Sequence, residues 1–144
     1  MPSTRRQFLI VCYANYCRSP VAENIFQSLY PSIKFISAGV NPFFDFDMDQ
    51  RSKNFLIEKN YLNQQHIPKK IDTNMIDKSE IVLCMDMEIL MILNKNFASK
   101  RNKFKLISYQ SPEFKIPDPY KYEANEYNEI MLIVEKVCKN FNFS

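Results

Sequence analysis

Glycine is almost missing from this chain: Gly39 is the sole one among 144 residues. Backbone positions with positive φ therefore fall to Asn or Asp, the side chains that next best tolerate that region. Asn15 is a candidate for such a position. Long apolar runs are missing too. No stretch approaches the ~18 consecutive apolar residues that a membrane helix requires, so no membrane span is expected. There is no dense block of Lys and Arg, and the net charge is only +3. Nucleic acid is thereby excluded as an expected partner. The local cluster of Lys100, Arg101, Lys103 and Lys105 reads equally well as a solvated helix-to-strand turn. The four cysteines, at 12, 17, 84 and 138, are spaced like neither a zinc site nor a disulfide framework. That usage implies a reducing compartment, hence the cytoplasm, and no metal or other cofactor is expected. Arg5-Arg6 and the apolar residues after them faintly mimic a signal peptide. The run is too short, and cleavage there would destroy the loop between Cys12 and Arg18.

A chain of 144 residues with 46% hydrophobic and 24% charged residues suits one globular domain over 1–144. No internal repeat or low-complexity tract interrupts it. Buried strands are expected at Phe8–Val11, Ile33–Ala38, Ile81–Met85 and Phe104–Ile107. Helices are expected from Val21 to Leu29, from Gln50 to Asn60 with Phe55, Leu56 and the Lys59 stem inward, and from Met87 to Asn94 behind an Asp86 cap. The best amphipathic helix runs from Glu123 to Phe141, with Tyr127, Ile130, Met131, Val134, Val137, Cys138 and Phe141 as its core stripe. Pro68 keeps 64–71 irregular, Asp72 to Asp77 form a short helical turn, and 109–122 make a long proline-bearing loop. Alternating strands and helices imply an α/β fold, a four-stranded parallel sheet with helices on both faces. Ligands bind such sheets beyond the strand C-termini. Cys84 and Cys138 read as buried small hydrophobes.

The stretch Cys12-Tyr13-Ala14-Asn15-Tyr16-Cys17-Arg18-Ser19-Pro20 lies at such a strand end. Ser19 suits the N-cap of the following helix and Pro20 its first position. Backbone N–H groups converging in the loop, together with the helix N-terminus, form an anion site. Arg18 adds a planar fork of donors matched to phosphate oxygens. Cys12 opens the loop, so its sulfur can sit beneath a bound anion. Such surroundings lower a cysteine pKa from roughly 8.5 to about 3.5–7.5, and a thiolate against phosphorus is a nucleophile.

Cys-x5-Arg-Ser at a strand-to-helix turn near the N-terminus resembles the low-molecular-weight protein tyrosine phosphatase family. The resemblance extends through Ser37-Ala38-Gly39, Ile81–Asp86 and Asp118-Pro119-Tyr120. It implies phosphate in the loop, a phosphotyrosine-containing protein as substrate and a phosphocysteine intermediate on Cys12. It further implies that Arg18 binds the phosphate and that Asp118 is general acid and then general base. Ser19 would donate to the Cys12 sulfur, while Asn15, Ser37 and His66 would support the loop. Cys17 would trap oxidised Cys12 as a disulfide. Tyr13, Tyr16, Phe43, Phe44 and Tyr120 would wall a slot for an aromatic ring, with Phe46 reading as core. Two departures stand out. Ala14 occupies a position where the family commonly has Gly, and His66-Ile67-Pro68-Lys69-Lys70 lacks the family's Arg-containing segment.

Two other functions share parts of this pattern. A thiol-coupled arsenate reductase uses the same loop but needs two more relay cysteines. Cys84 is available, but position 91 is Met and the next cysteine is Cys138. A non-catalytic phosphotyrosine-binding relative would need Arg18, but not Cys12 or Asp118.

Overall fold

The computed structural model describes residues 5–43 and 47–144. Phe44 and Phe46 lie outside the described residues. Four parallel strands, β1 (Gln7–Cys12), β2 (Lys34–Gly39), β3 (Ile81–Cys84) and β4 (Phe104–Leu106), form one sheet in the order β2-β1-β3-β4. The helices are α1 (Arg18–Leu29), α2 (Gln50–Glu58), α3 (Thr73–Lys78), α4 (Met87–Asn96) and α5 (Ala124–Asn140). The chain leaves β1 for one neighbour and later returns to its other side. The C-terminal end of β1 is thus the switch in strand order, where such sheets bind ligands.

β1 shows why both sheet faces are covered. Alternate side chains of a strand point to opposite faces. Phe8, Ile10 and Cys12 join the core under α1, α2 and α5. Leu9 and Val11 join a second core with Ile76 of α3 and Ile89 and Leu93 of α4. Every residue of β1 is buried, as a central parallel strand requires. Cys84 and Cys138 are fully buried in these separate cores.

Several local expectations change. α2 ends at Glu58, and Asn60 turns the chain with φ 62°. Lys59 does not send its stem inward; it is exposed and its Nζ lies 3.8 Å from Glu135. The basic cluster does lie between a helix and a strand, with Lys100, Arg101 and Lys103 in a 3-10 helix, Ala98–Lys103, and Lys105 in β4; Lys103 Nζ donates to the carbonyls of Ile76, Asp77 and Ser79. Ser19 does not cap α1. That helix begins at Arg18, and Cys17 holds the cap position without a side-chain bond. The Ser19 hydroxyl is drawn into the loop instead.

Candidate active site

Cys12 ends β1 and Arg18 opens α1, so residues 13–17 must turn within a few ångströms of the sheet edge. Each carbonyl of the turn is held from outside. Cys12 O accepts from Val40 N (3.2 Å), Tyr13 O from Asn41 N (2.8 Å), Ala14 O from Phe43 N (3.1 Å) and Tyr16 O from Asp49 N (2.9 Å). Asn15 O accepts from His66 Nε2 at 2.7 Å, and Cys17 O from Ser52 Oγ at 2.9 Å. In a trans peptide the N–H points opposite to the C=O. Drawing every carbonyl outward turns the N–H groups of residues 13–18 toward the inside of the loop, which makes an anion cradle.

Asn15 is the centre of that turn. Its φ is 51°, a region Asn tolerates better than most side chains. Ala14 is not among the positive-φ residues, so alanine is accommodated there without backbone strain. The Asn15 side chain makes three hydrogen bonds and uses both of its N–H donors. Nδ2 donates to Ser19 Oγ (2.9 Å) and Ser37 Oγ (3.0 Å), and Oδ1 accepts from Lys69 N (2.9 Å). Ser37 in turn donates to Glu23 Oε1. Burial raises the Glu23 pKa, although the Ser37 bond opposes this. Since Ser19 Oγ accepts from Asn15, its own hydrogen is left for the Cys12 sulfur, 2.9 Å away. The segment after His66 therefore does reach the loop, through the His66 ring and the Lys69 backbone rather than an arginine. His66 must carry its proton on Nε2, because a carbonyl can only accept. Burial lowers the His66 pKa, helped by nearby Lys69 and opposed by the Asn15 carbonyl and Asp47.

Arg18 is almost completely buried. Its Nη1 donates to Ile116 O at 2.9 Å, and its Nη2 pairs with Asp86 Oδ2 at 3.0 Å. The guanidinium has five N–H donors, so others remain for an anion. Asp86 is a site residue that sequence reasoning assigned only a capping role. It does both, since Oδ1 caps α4 by accepting from Ile89 N at 3.0 Å. Asp118 is exposed on the facing loop, where Oδ1 accepts from Tyr120 N at 3.2 Å.

These groups share one cavity of about 190 Å³, bounded by the loop from Cys12 to Arg18, by Phe43, and by Asp118 and Tyr120. Tyr16, Phe43 and Tyr120 touch one another edge to face, with ring centroids 5.1–6.2 Å apart. Tyr13 is half exposed at the rim. Cys17 is buried, and its Sγ lies 3.9 Å from Asp49 Oδ2. Desolvation is the main cause that pushes its pKa up to about 12, so Cys17 is a thiol at neutral pH. Among the described residues no group of His, Cys, Asp or Glu could hold a metal ion, and no helix is long and apolar enough to cross a membrane.

The family model of the low molecular weight phosphotyrosine protein phosphatases matches residues 7–143. The chain belongs to that family. It is 25% identical over 131 residues to the low molecular weight protein-tyrosine-phosphatase Ptp of Acinetobacter johnsonii, covering 90% of this chain and 91% of the relative. The fold superposes on the tyrosine phosphatase Wzb of Escherichia coli K30, solved with sulphate, with TM-score 0.87 and 24% identity over 94% of this chain and 95% of the other. It also superposes on the YwlE arginine phosphatase of Geobacillus stearothermophilus, with TM-score 0.83 and 22% identity over 93% of this chain and 88% of the other. The two structural likenesses establish the fold.

Proposed function

We propose that this protein hydrolyses phosphotyrosine in proteins, and aryl phosphates generally, through a phosphocysteine on Cys12. The observation that carries the reading is the cradle: outward-held carbonyls from Cys12 to Cys17, the Cys12 sulfur within the loop, and Asp118 on the opposite wall. An N–H nest and a buried guanidinium suit three equatorial phosphoryl oxygens, the charge-bearing part of a phosphoryl-transfer transition state.

The Cys12 thiolate attacks phosphorus, a P–S bond forms, and the P–O bond to the phenol breaks. Asp118 gives its proton to the departing oxygen. The resulting Asp118 carboxylate then takes a proton from water as that water attacks phosphorus. The P–S bond breaks, its electron pair returns to sulfur, and inorganic phosphate leaves. Ser19, directed at the sulfur by Asn15, stabilises the thiolate at both ends of the cycle. Three mutually touching rings and Tyr13 favour a flat aryl group. Phosphoserine is too short to place its phosphorus in the cradle and its body against those walls.

The arsenate reductase alternative lacks a relay. Cys84 and Cys138 are each fully buried, in cores on opposite faces of the sheet. A binding-only relative leaves Cys12 and Asp118 without a reason to face one cavity. Four unpaired thiols, the nucleophile among them, suit the cytoplasm.

The test is hydrolysis of p-nitrophenyl phosphate near pH 6 without metal, by wild type, Cys12→Ser and Asp118→Asn. Cys12→Ser should abolish turnover and Asp118→Asn should reduce it by about 10²-fold or more. Turnover by Cys12→Ser at the wild-type rate would refute the mechanism. A wild type that binds phosphate but never turns over would support the binding-only alternative.

A further inference from the structure

The loop that carries Asp118 is gripped on both sides by a guanidinium. Upstream, Arg18 Nη1 donates to Ile116 O at 2.9 Å. Downstream, Arg51 Nη2 donates to Tyr120 O at 3.2 Å and Nη1 to Tyr122 O at 2.5 Å. Asp118 stands midway between Ile116 and Tyr120 in the chain. Arg51 lies in the first turn of α2 and is not part of the cavity wall.

Arg51 is itself held rigidly. Its Nε and Nη2 form a forked pair with Asp49 Oδ1 (2.9 Å) and Oδ2 (2.7 Å). Its Cζ lies 4.0 Å from the centroid of the Tyr127 ring, which is completely buried. Asp49 is buried and tied to the phosphate loop, since its N–H donates to Tyr16 O at 2.9 Å. One continuous chain of contacts thus runs from the phosphate loop through Asp49 and Arg51 to the backbone just after Asp118. The Tyr120 ring also touches Tyr16 and Phe43, but it and the Tyr122 ring are about half exposed, so the directional hold on this backbone comes from the guanidinium.

We propose that Arg51 is a positioning residue for Asp118. Its fork fixes the descending limb of the acid loop relative to the phosphate loop, and so keeps the Asp118 carboxyl within reach of the leaving-group oxygen. Arg51 lies outside the cavity wall, so it acts on the reaction through the Asp118 loop. The proposal rests on the assignment of Asp118 as general acid. Misplacement of a reacting group by about 1 Å costs up to ~10²-fold in rate. A lost Arg51 clamp therefore resembles a partial loss of Asp118.

The test compares phenyl phosphate, whose leaving group requires a proton, with 2,4-dinitrophenyl phosphate, whose acidic phenol departs without one. The parameter is kcat/KM, which reports the steps up to phosphorylation of Cys12. Arg51→Met keeps an unbranched apolar stem and removes the fork, together with the guanidinium carbon that lies over Tyr127. It should lower kcat/KM for phenyl phosphate by ~10–100-fold and change 2,4-dinitrophenyl phosphate by less than about threefold. Placed in the Asp118→Asn background, it should add no further loss. Arg51→Lys, which keeps charge but not the planar fork, should fall between. It carries the test alone if Arg51→Met does not fold, as judged by thermal melting and binding of inorganic phosphate. Equal losses on both substrates, or none on either, overturn the clamp. If Asp118→Asn itself loses both substrates alike, the acid assignment fails first and the clamp falls with it.

Discussion

Gly39 and Asn15 approach so closely that a Cβ on Gly39 would stand 2.8 Å from the Asn15 backbone nitrogen and 2.8 Å from Tyr13 O. The one glycine in the chain sits where the end of β2 passes under the phosphate loop. Its φ is ordinary, so space and not backbone freedom demands glycine here. Both nearby atoms belong to backbone that holds the anion cradle. Gly39→Ala should therefore push the loop out of shape. We expect kcat/KM on p-nitrophenyl phosphate to fall by ~10²-fold while the protein still folds. Unchanged activity would show that the loop yields without consequence.

Asn15 joins the strand, the helix and the 64–70 segment. Asn15→Ala removes three side-chain hydrogen bonds, to Ser19, Ser37 and Lys69. At ~1 kcal/mol for each bond, the loss in unfolding free energy is about 3 kcal/mol, and placing alanine at φ 51° adds to it. Urea unfolding measures it. Ser19→Ala, which leaves the φ problem untouched, should cost less stability but slow the enzyme, since the Cys12 sulfur loses its donor.

His66 gives the fold a dependence on pH. Its pKa is held below the ordinary histidine value of 6.5, chiefly by burial. A depressed pKa means the unfolded chain takes up the proton first as pH falls. The stabilising contribution is full above pH 6.5 and is lost as pH drops through the lower folded value. His66→Gln keeps an N–H to donate to Asn15 O but does not titrate. Its Tm should therefore decline less steeply than that of wild type below pH 6.5. Parallel Tm profiles for the two proteins would contradict this account.

The expected role of Cys17 is to respond to oxidation rather than to attack substrate. Peroxide converts the Cys12 thiolate to a sulfenic acid, which the Cys17 thiol condenses with, releasing water and forming an S–S bond. The Cys17 S–H, which rests against Asp49 Oδ2, supplies the proton that leaves with the sulfenic oxygen as water. Intact-mass and peptide analysis after brief peroxide treatment should find a Cys12–Cys17 disulfide that dithiothreitol reverses. In Cys17→Ser the product should instead be Cys12 sulfinic acid, with no recovery of activity. Equal recovery of the two proteins would count against the trap.

The sheet and the loop were readable because their signals are local. The apolar run at Phe8–Val11, the Cys-x5-Arg spacing and the Asp-Pro-Tyr segment each lie within a few residues. The alternation of strands and helices did the rest, and Asp86 was recognisable as a cap from its place before an apolar run. What stayed hidden depends on pairs far apart in the chain. Arg18 meets Asp86 and Ile116, Ser37 meets Glu23, and Arg51 meets Tyr120 and Tyr122. No periodicity records such pairings. Ser19 misled for a related reason: a serine before proline reads as a cap, yet Asn15 and Cys12 claimed its hydroxyl.

The aromatic walls predict a ranking of substrates. Phosphotyrosine peptides should be turned over far faster than phosphoserine peptides, and faster than phosphoarginine, which carries a charged, non-aryl group. Tyr120→Ala should raise KM for phosphotyrosine more than for the smaller acetyl phosphate. A preference for phosphoarginine would instead show that the Tyr16, Phe43 and Tyr120 rings line the entrance without selecting an aryl group.

The central claim is that phosphate passes through the sulfur of Cys12. The most direct measurement is rapid quenching of the Asp118→Asn enzyme during turnover of 2,4-dinitrophenyl phosphate, followed by mass spectrometry of the intact protein and its peptides. With no base to activate water, the intermediate should accumulate, and the added phosphate should lie on Cys12, absent from Cys12→Ser run in parallel. Phosphate on any other residue, or full product release with no phosphorylated enzyme at any time, would contradict the account.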